Sequence, residues 1–327
     1  MLKLDKKDHQ ILFELDRNSR QSISQLAKKT RLSRDVVGYR IKQLEKLGVI
    51  KKYITIVDFT KFFTYITRLY LKLQNTTPEI EQQMVDYFIQ QKNNLTVFKT
   101  DGHYDLAVGF LVKDLHTYQL MWEQFLIRFK PYIQEKNFSI FLDFIHYPRN
   151  YLVESKLRDF SSLSTGSFSP FSLDEKDILL LKLIKEDARI SLLELARKMK
   201  MTPMGVKYKL KKLEKNKVIV AYKLLIDSSK LGYTYYKIDL ELEDISILPS
   251  LSQFILQNPY VLYRDIAVGG SDFEFDGEFP SQEAFYQFMD ELKAQFPRKI
   301  RRYWYYKALK IYRFSYFPEE LNLKQKI

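Results

Sequence analysis

Between residues 4 and 58 the apolar positions first recur every third or fourth place and then alternate. Ile11, Leu12 and Leu15 begin a helical stripe behind Asp5, which stands where an N-cap belongs. Ser22 with Gln25 has the spacing of a capping box and opens a second helix through Leu26 and Ala27. A third helix starts at Ser33, with Val37, Ile41 and Leu44 as its buried stripe, and "GVIKKYITIVD" follows as a strand-like run. Beyond it the order is strand, helix, strand, strand, helix, strand: "ITRLYLKLQ", a helix over 78–92, "LTVFKTDG", "YDLAVGFLV", a helix over 115–130 and "FSIFLDFIHY".

The same pattern is then written a second time. Residues 4–58 align without a gap on 173–227 at a constant offset of 169, with 20 identities in 55 positions, so the chain carries an internal duplication. In the second copy Asp174 is the N-cap, Ser191 with Glu194 the capping box, and Thr202 with Pro203 the start of the third helix, striped by Val206, Leu210 and Leu213. "KVIVAYKLLID" is its strand-like run, followed by "YKIDLELED", a helix over 247–258, "VLYRDIAVG", "DFEFDGEF", a helix over 281–296 and "RRYWYYKALKIYRF". Three short helices with a β-wing predict a winged helix-turn-helix, and the βαββαβ order predicts a ferredoxin-like module. The expected fold is therefore α+β, each of the two modules present twice. The predicted boundaries are 1–60 and 61–154 for the first unit, 155–172 for a Ser-rich linker, 173–230 and 231–318 for the second unit, and 319–327 for a polar tail.

Charge adds a partner to this picture. The 327 residues carry a formal charge of +13, which favours an anionic partner such as nucleic acid over the bland alternative of a soluble basic surface. The excess is concentrated: nine cations against Asp35 and Glu45 over 28–52, and nine against Glu214 alone over 197–217. In a winged helix-turn-helix the third helix enters the major groove and offers its N-terminal residues to base edges. The spacing sets Arg34, Asp35, Gly38, Tyr39 and Lys42 off the apolar stripe in copy one, and Lys207, Tyr208, Lys211 and Lys212 in copy two. Arg34 and Asp35 can hydrogen-bond to bases, whereas Pro203 and Met204 in the matching places cannot do so through their side chains. Copy two is thus expected to grip phosphates more than it reads sequence.

At this point the chain resembles the Lrp/AsnC, or feast/famine, transcriptional regulators. The residues that carry the likeness are the "LDxxDxxIL" opening, "RxSxxxLAKK", "LSxxxVxxRIxxLExxGVI" over 32–50 and the turn "DGHYDLAV" over 101–108. The resemblance implies duplex DNA as partner and pairing of units through their sheets, here within one chain as a pseudo-dimer, with further homo-oligomerisation left open. It also implies a small-molecule, amino-acid-like effector near the Gly-x-Tyr-Asp turn, which marks Gly102, Tyr104 and Asp105, with Gly269 and Asp272 in copy two. Copy two departs from the pattern, since Ser271 stands where Tyr104 does, and a glycine ending a strand is also simply a turn residue.

Strand alternation gives each sheet two faces. Leu69, Leu71 and Leu73 turn to the helices and leave Arg68, Tyr70 and Lys72 on the other side; Ile238, Leu240 and Leu242 leave Lys237, Asp239, Glu241 and Glu243. The neighbouring run adds Asp272, Glu274, Asp276 and Glu278, which makes seven carboxylates on one face. Three readings compete: solvation, a metal site, and counter-charge from Arg68 and Lys72 of copy one, the last with Lys72 set against Glu241.

No catalytic motif is present, and no cofactor or metal is expected. The four histidines, His9, His103, His116 and His146, all lie in copy one and are not spaced as a ligand set. One enzyme class looks like paired Lrp-type units, the siroheme decarboxylases; it stays open beside the regulator, as does a sequence-indifferent DNA coat. With no cysteine, no apolar run long enough to span a bilayer and a charged N-terminal stretch, the expected setting is soluble and cytoplasmic, without membrane contact.

Overall fold

The computed structural model describes residues 4–62 and 64–315; the predicted polar tail over 319–327 lies outside them. Copy one comprises α1 (Lys6–Arg17), α2 (Ile23–Thr30), α3 (Arg34–Lys46), β1 (Ile50–Val57), β2 (Tyr65–Leu73), α4 (Pro78–Gln90), β3 (Asn94–Gly102), β4 (Leu106–Val112), α5 (Leu115–Phe129) and β5 (Ile133–His146). Copy two repeats the series as α6 (Glu175–Glu186), α7 (Leu192–Met199), α8 (Pro203–Lys215), β6 (Ile219–Ile226), β7 (Thr234–Leu242), α9 (Leu248–Gln257), β8 (Val261–Val268), β9 (Phe273–Phe279), α10 (Gln282–Gln295) and β10 (Ile300–Phe314). Asp5 and Asp174 cap their helices in reciprocal capping boxes with Asp8 and Asp177, and Ser22 with Gln25 forms the box expected of it. Ser191 supplies only half of one: its hydroxyl accepts from the Glu194 amide, while the Glu194 carboxylate turns to Lys198 at 3.0 Å.

The strand-like run of each wing finds its partner in the other copy. β1 and β6 pair with each other, antiparallel, from Ile50↔Ile226 to Val57↔Ile219, so the two copies share one two-stranded ribbon. The ribbon also exchanges core. Leu224, Ile226 and Leu231 of copy two complete the apolar cluster of α1–α3, and Val57 and Phe59 of copy one complete that of α6–α8. A reciprocal pair of arginines locks the arrangement. Arg20 donates to the Ala188 carbonyl at 2.5 Å and Ile190 at 3.3 Å, and its counterpart Arg189 donates to the carbonyls of Ser19 at 2.5 Å and Gln21 at 3.1 Å.

The remaining strands close into an eight-stranded barrel in the order β10-β3-β4-β2-β5-β8-β9-β7. Each half keeps the ferredoxin-like order, and the seams are β5 on β8 and β10 on β3, so each seam joins the last strand of one copy to the second module strand of the other. Leu69, Leu71 and Leu73 pack outward beneath α4 and α5 among Phe88, Phe110 and Phe125; Ile238, Leu240 and Leu242 do the same beneath α9 and α10. Period-two alternation then forces the opposite faces inward. Segment 155–172 runs back along the barrel: Leu163 bridges His146, the Asp143 carboxylate accepts from Thr165 and Gly166 amides at 2.9 Å, and Lys61 donates to the Ser169 hydroxyl at 2.6 Å.

The carboxylate row is resolved by this closure, and mostly not by solvent. Asp239, Glu274, Asp276 and Glu278 are buried in the barrel wall and its base. Arg68 supplies the counter-charge expected of it, pairing with Asp265 at 2.8 Å and with Glu274. Lys72 does not: it pairs with Asp105 of its own copy at 3.1 Å, while Glu241 is held bidentately by Arg302 at 2.7 and 2.8 Å. The reason is position, since Lys72 and Glu241 lie near the strand ends, outside the barrel's buried middle.

Candidate nucleic-acid interface

Ser33 and Thr202 cap α3 and α8 by accepting the amides of Val36 and Gly205, and each helix buries the expected stripe, Val37, Ile41 and Leu44 or Val206, Leu210 and Leu213. Burying that stripe turns the other side to water. Arg34, Asp35, Tyr39 and Lys42 are exposed on α3, with Gly38 half-buried between them; Lys207, Tyr208 and Lys211 are exposed on α8. The two tyrosines carry 64% and 71% of their surface to solvent, which leaves each free to stack or to contact a sugar. Arg34, Lys42, Lys207 and Lys211 form no ion pair among the described residues.

Not every cation on these helices is available. Arg40 reaches back to Asp5 and Asp8 of α1 at 2.8 and 2.7 Å, and Lys209 does the same to Asp174 and Asp177 of α6 at 2.6 and 2.8 Å. Lys212 is likewise half-buried, with its ammonium 3.2 Å from Asp177 and over the Phe171 ring. The capping-box acids thus have a second task, pinning the third helix to the first. The sequence pattern could not separate Lys212 from Lys211, because the partner acid lies 35 residues upstream. Arg31 and Lys200, in the turn before each third helix, both adopt left-handed backbone with φ of 55° and 50°.

The turn residues marked for an effector all have contacts of their own. A Cβ at Gly102 would lie 2.4 Å from the Tyr305 carbonyl oxygen, and one at Gly269 2.7 Å from that of Phe138. Both glycines, with φ of 134° and 76°, let the opposite copy's strand cross closely at a barrel seam. Tyr104 is buried, stacked on Tyr70 and hydrogen-bonded to Glu135 at 3.2 Å. Asp105 accepts from the Leu73 amide at 2.7 Å, and Asp272 accepts from the equivalent Leu242 amide at 2.8 Å. His103 sits beside Glu135 at 3.3 Å with its ring near Trp304.

What the sequence reading left out is the barrel interior as a site. Arg68 of β2 and Lys237 of β7 occupy equivalent places and face Asp239, Asp265, Glu274 and Asp276, all from copy two. Burial pushes the Asp239 and Asp276 carboxyls up to about 7, and the neighbouring acids add to it. Burial also opposes ionisation of Glu274, but Arg68 and Lys237 outweigh it and hold that carboxyl down at about 2. Charged residues in strict alternation on β7 and β9, with Arg68 at the matching place of β2, were the available signal. A second buried network, Arg149 with Asp16 at 2.6 Å and Glu278 at 3.2 Å and Lys223 with Asp16 at 3.5 Å, ties α1 to β6 and β9. Among the described residues no helix is long and apolar enough to cross a membrane, and no group of acids and histidines is placed to hold a metal ion.

Comparison with known proteins agrees with this geometry. A model of winged helix-turn-helix DNA-binding domains matches twice, at residues 4–51 and 173–220. An uncharacterized HTH-type transcriptional regulator of Pyrococcus abyssi is 32% identical over 117 residues, 35% of this chain and 75% of that protein. The HTH-type transcriptional regulator LrpC of Bacillus subtilis is 43% identical over 60 residues, 18% of this chain and 42% of that protein. Over the whole length, the crystal structure of the siroheme decarboxylase NirDL superposes with a TM-score of 0.61 at 11% identity, covering 94% of this chain and 93% of that one, a likeness of fold. With its helix-turn-helix matched twice and its ferredoxin-like sheets joined in one barrel, the chain belongs to the Lrp/AsnC family of winged helix-turn-helix transcriptional regulators.

Proposed function

We propose that this regulator binds duplex DNA sequence-specifically as a single-chain pseudo-dimer, with α3 reading base edges and α8 gripping phosphates. The observation that carries this reading is the pair of third helices, each with exposed, unpaired cations on its outer face, mounted on one shared ribbon. Two recognition helices related by a pseudo-two-fold match two half-sites spaced by whole helical turns. Arg34 and Asp35 would specify one half, and Lys207 and Lys211 would neutralise phosphates in the other, with Tyr39 and Tyr208 against the sugars; Lys212, tied to Asp177, would act through the helix rather than on DNA. The units would act at the boundaries that the sequence suggests, in a cytoplasmic setting, with a small-molecule effector communicating through the Gly102 and Gly269 seams.

The test is fluorescence anisotropy on random duplex titrated against salt, followed by binding-site selection. A log–log slope of about −6 to −10 is expected if both helices engage phosphates. Selection should return one sharp and one loose half-site; two equally sharp halves would overturn the division of labour. Affinity for the selected site no better than for random duplex would instead mark an architectural coat.

The shared fold with NirDL raises a second reading, tetrapyrrole decarboxylation. The barrel interior opposes it, because its acids outnumber its cations and a siroheme carries many carboxylates of its own. A change in visible absorption on adding siroheme to the protein would reinstate it.

A further inference from the structure

The barrel encloses a cavity of about 190 Å³. Most of its wall is apolar or aromatic, including Ile66, Phe98, Phe141 and Phe144, and one side is charged, formed by Arg68, Lys237, Asp265 and Asp276. Purely apolar cavities stay dry, whereas a polar one is filled by something that answers its hydrogen-bonding groups. Here the unanswered groups are specific. The Asp265 and Asp276 carboxylates are buried and both residues line the cavity; on each, Oδ1 accepts no hydrogen bond, and that of Asp276 has only the Lys237 ammonium 3.4 Å away. Their other oxygens are taken, Asp265 by Arg68 and Lys237, Asp276 by the Tyr235 hydroxyl at 2.7 Å.

Counting charge leads to the same place. Once Asp239 and Asp276 are ionised, which their raised carboxyls reach only above about pH 7, they stand with Asp265 and Glu274 against Arg68 and Lys237 alone, and the buried group is then short of positive charge. Arg68 is already sandwiched between Tyr70 and Phe141, 4.7 and 4.8 Å from the ring centroids, and engaged with two carboxylates. An ionised carboxylate accepts and cannot donate, so whatever completes the cluster in that state must bring donors and positive charge. An ammonium group does both, and its carbon body suits the aromatic wall.

We propose that the barrel cavity is a binding site for a small organic amine with an aromatic or aliphatic body, its ammonium donating to Asp276 and Asp265 and its body lying against Phe98 and Phe144. A cavity of roughly 150 Å³ accepts a benzene ring, so this one fits a ring with a short amino tail. The site is built by both copies, since Asp265 and Asp276 come from the second and Phe98, Phe141 and Phe144 from the first. It therefore rests on the barrel and not on the assignment of α3 and α8 to DNA, and the DNA titration above decides that assignment separately.

The full-length protein is titrated by calorimetry at about pH 8, where Asp276 is ionised, with 2-phenylethylamine, 2-phenylethanol and 3-phenylpropanoate, molecules of similar shape that differ in the charge of one end. The amine should bind at least about tenfold tighter than the alcohol and raise the melting temperature, and the acid should not bind. Asp276→Asn should bring the amine down to the level of the alcohol, while Ala107→Leu, which fills the cavity, should abolish both. Equal affinity for amine and alcohol would mean that water completes the cluster and would overturn the proposal. So would full binding by Ala107→Leu, which would place the amine elsewhere. If Asp276→Asn fails to fold, the ligand series on the unaltered protein still decides.

Discussion

Arg31 and Lys200 show how much is set by single residues. Both hold left-handed backbone at the turn into a third helix, a conformation that costs a residue with a Cβ about 1 kcal/mol. Arg31→Gly and Lys200→Gly should therefore each stabilise the fold by roughly 0.5–1 kcal/mol in urea unfolding. On the DNA-facing side, Arg34→Ala should cost about 1–3 kcal/mol and relax specificity at one position, whereas Lys211→Ala should weaken all sequences alike and reduce the salt slope by about 1, both read by anisotropy. Inside the barrel Asp239 is faced by Tyr306 of β10, Glu274 and Asp276 of β9, Arg68 of β2 and Lys237 of its own strand. Its folded carboxyl titrates at about 7 against an ordinary 3.8, so the folded state holds the extra proton between those values. Stability contributed by that proton is present at low pH and lost as pH rises from about 4 to 7. Asp239→Asn, which mimics the protonated form, should gain on the unaltered protein by on the order of 2 kcal/mol at pH 8 and by much less at pH 5, measured by urea midpoints at both. The residues that sequence made visible are those whose environment is local: cap residues, apolar stripes and glycines at strand ends. The partners of Lys212 and Lys72 were not, because an ion-pair acid 35 or 33 residues away leaves no mark in the spacing.

At the scale of elements, alternation predicts a strand and says nothing about its partner. "GVIKKYITIVD" and "KVIVAYKLLID" were legible as strands and the βαββαβ order as a ferredoxin-like sheet, but the pairing of β1 with β6 was not. A strand finds its neighbour by burial of a shared core, and that core draws on Leu224 and Ile226 from one copy and Val57 from the other. The barrel seams follow the same logic. Their glycines are fixed by what crosses them, and Gly102→Ala should destabilise the fold by several kcal/mol, since the new Cβ meets the Tyr305 carbonyl at 2.4 Å and the backbone is in a region that favours glycine.

For the whole molecule, the distribution of buried charge says which unit can pair with which. Arg68 and Lys237 are equivalent by the 169-residue offset, but the acids that surround them are not shared. Opposite Asp239 in copy two stands Tyr70 in copy one, and the strand offset of the second and third module strands sets Phe98, Ala107 and Gly109 in the places of Asp265, Glu274 and Asp276. A barrel made of two first units would bury two Arg68 guanidiniums with none of those four carboxylates. One made of two second units would bury two Lys237 ammoniums among eight carboxylates. Leaving a buried charge without its partner costs about 3–5 kcal/mol, whereas the mixed barrel gives every cation a carboxylate. Duplication followed by this division of charge makes the two halves specific for each other. Residues 1–172 and 173–327 expressed separately should thus fail to form stable homodimers and should assemble one-to-one when mixed, as read by native mass spectrometry. Arg68→Met in the first half should abolish that assembly, because Asp265 and Glu274 lose the cation that crosses between the units. Stable homodimers of either half, as compact as the mixed species, would show that backbone pairing at the seams suffices and that the buried charges do not choose the partner.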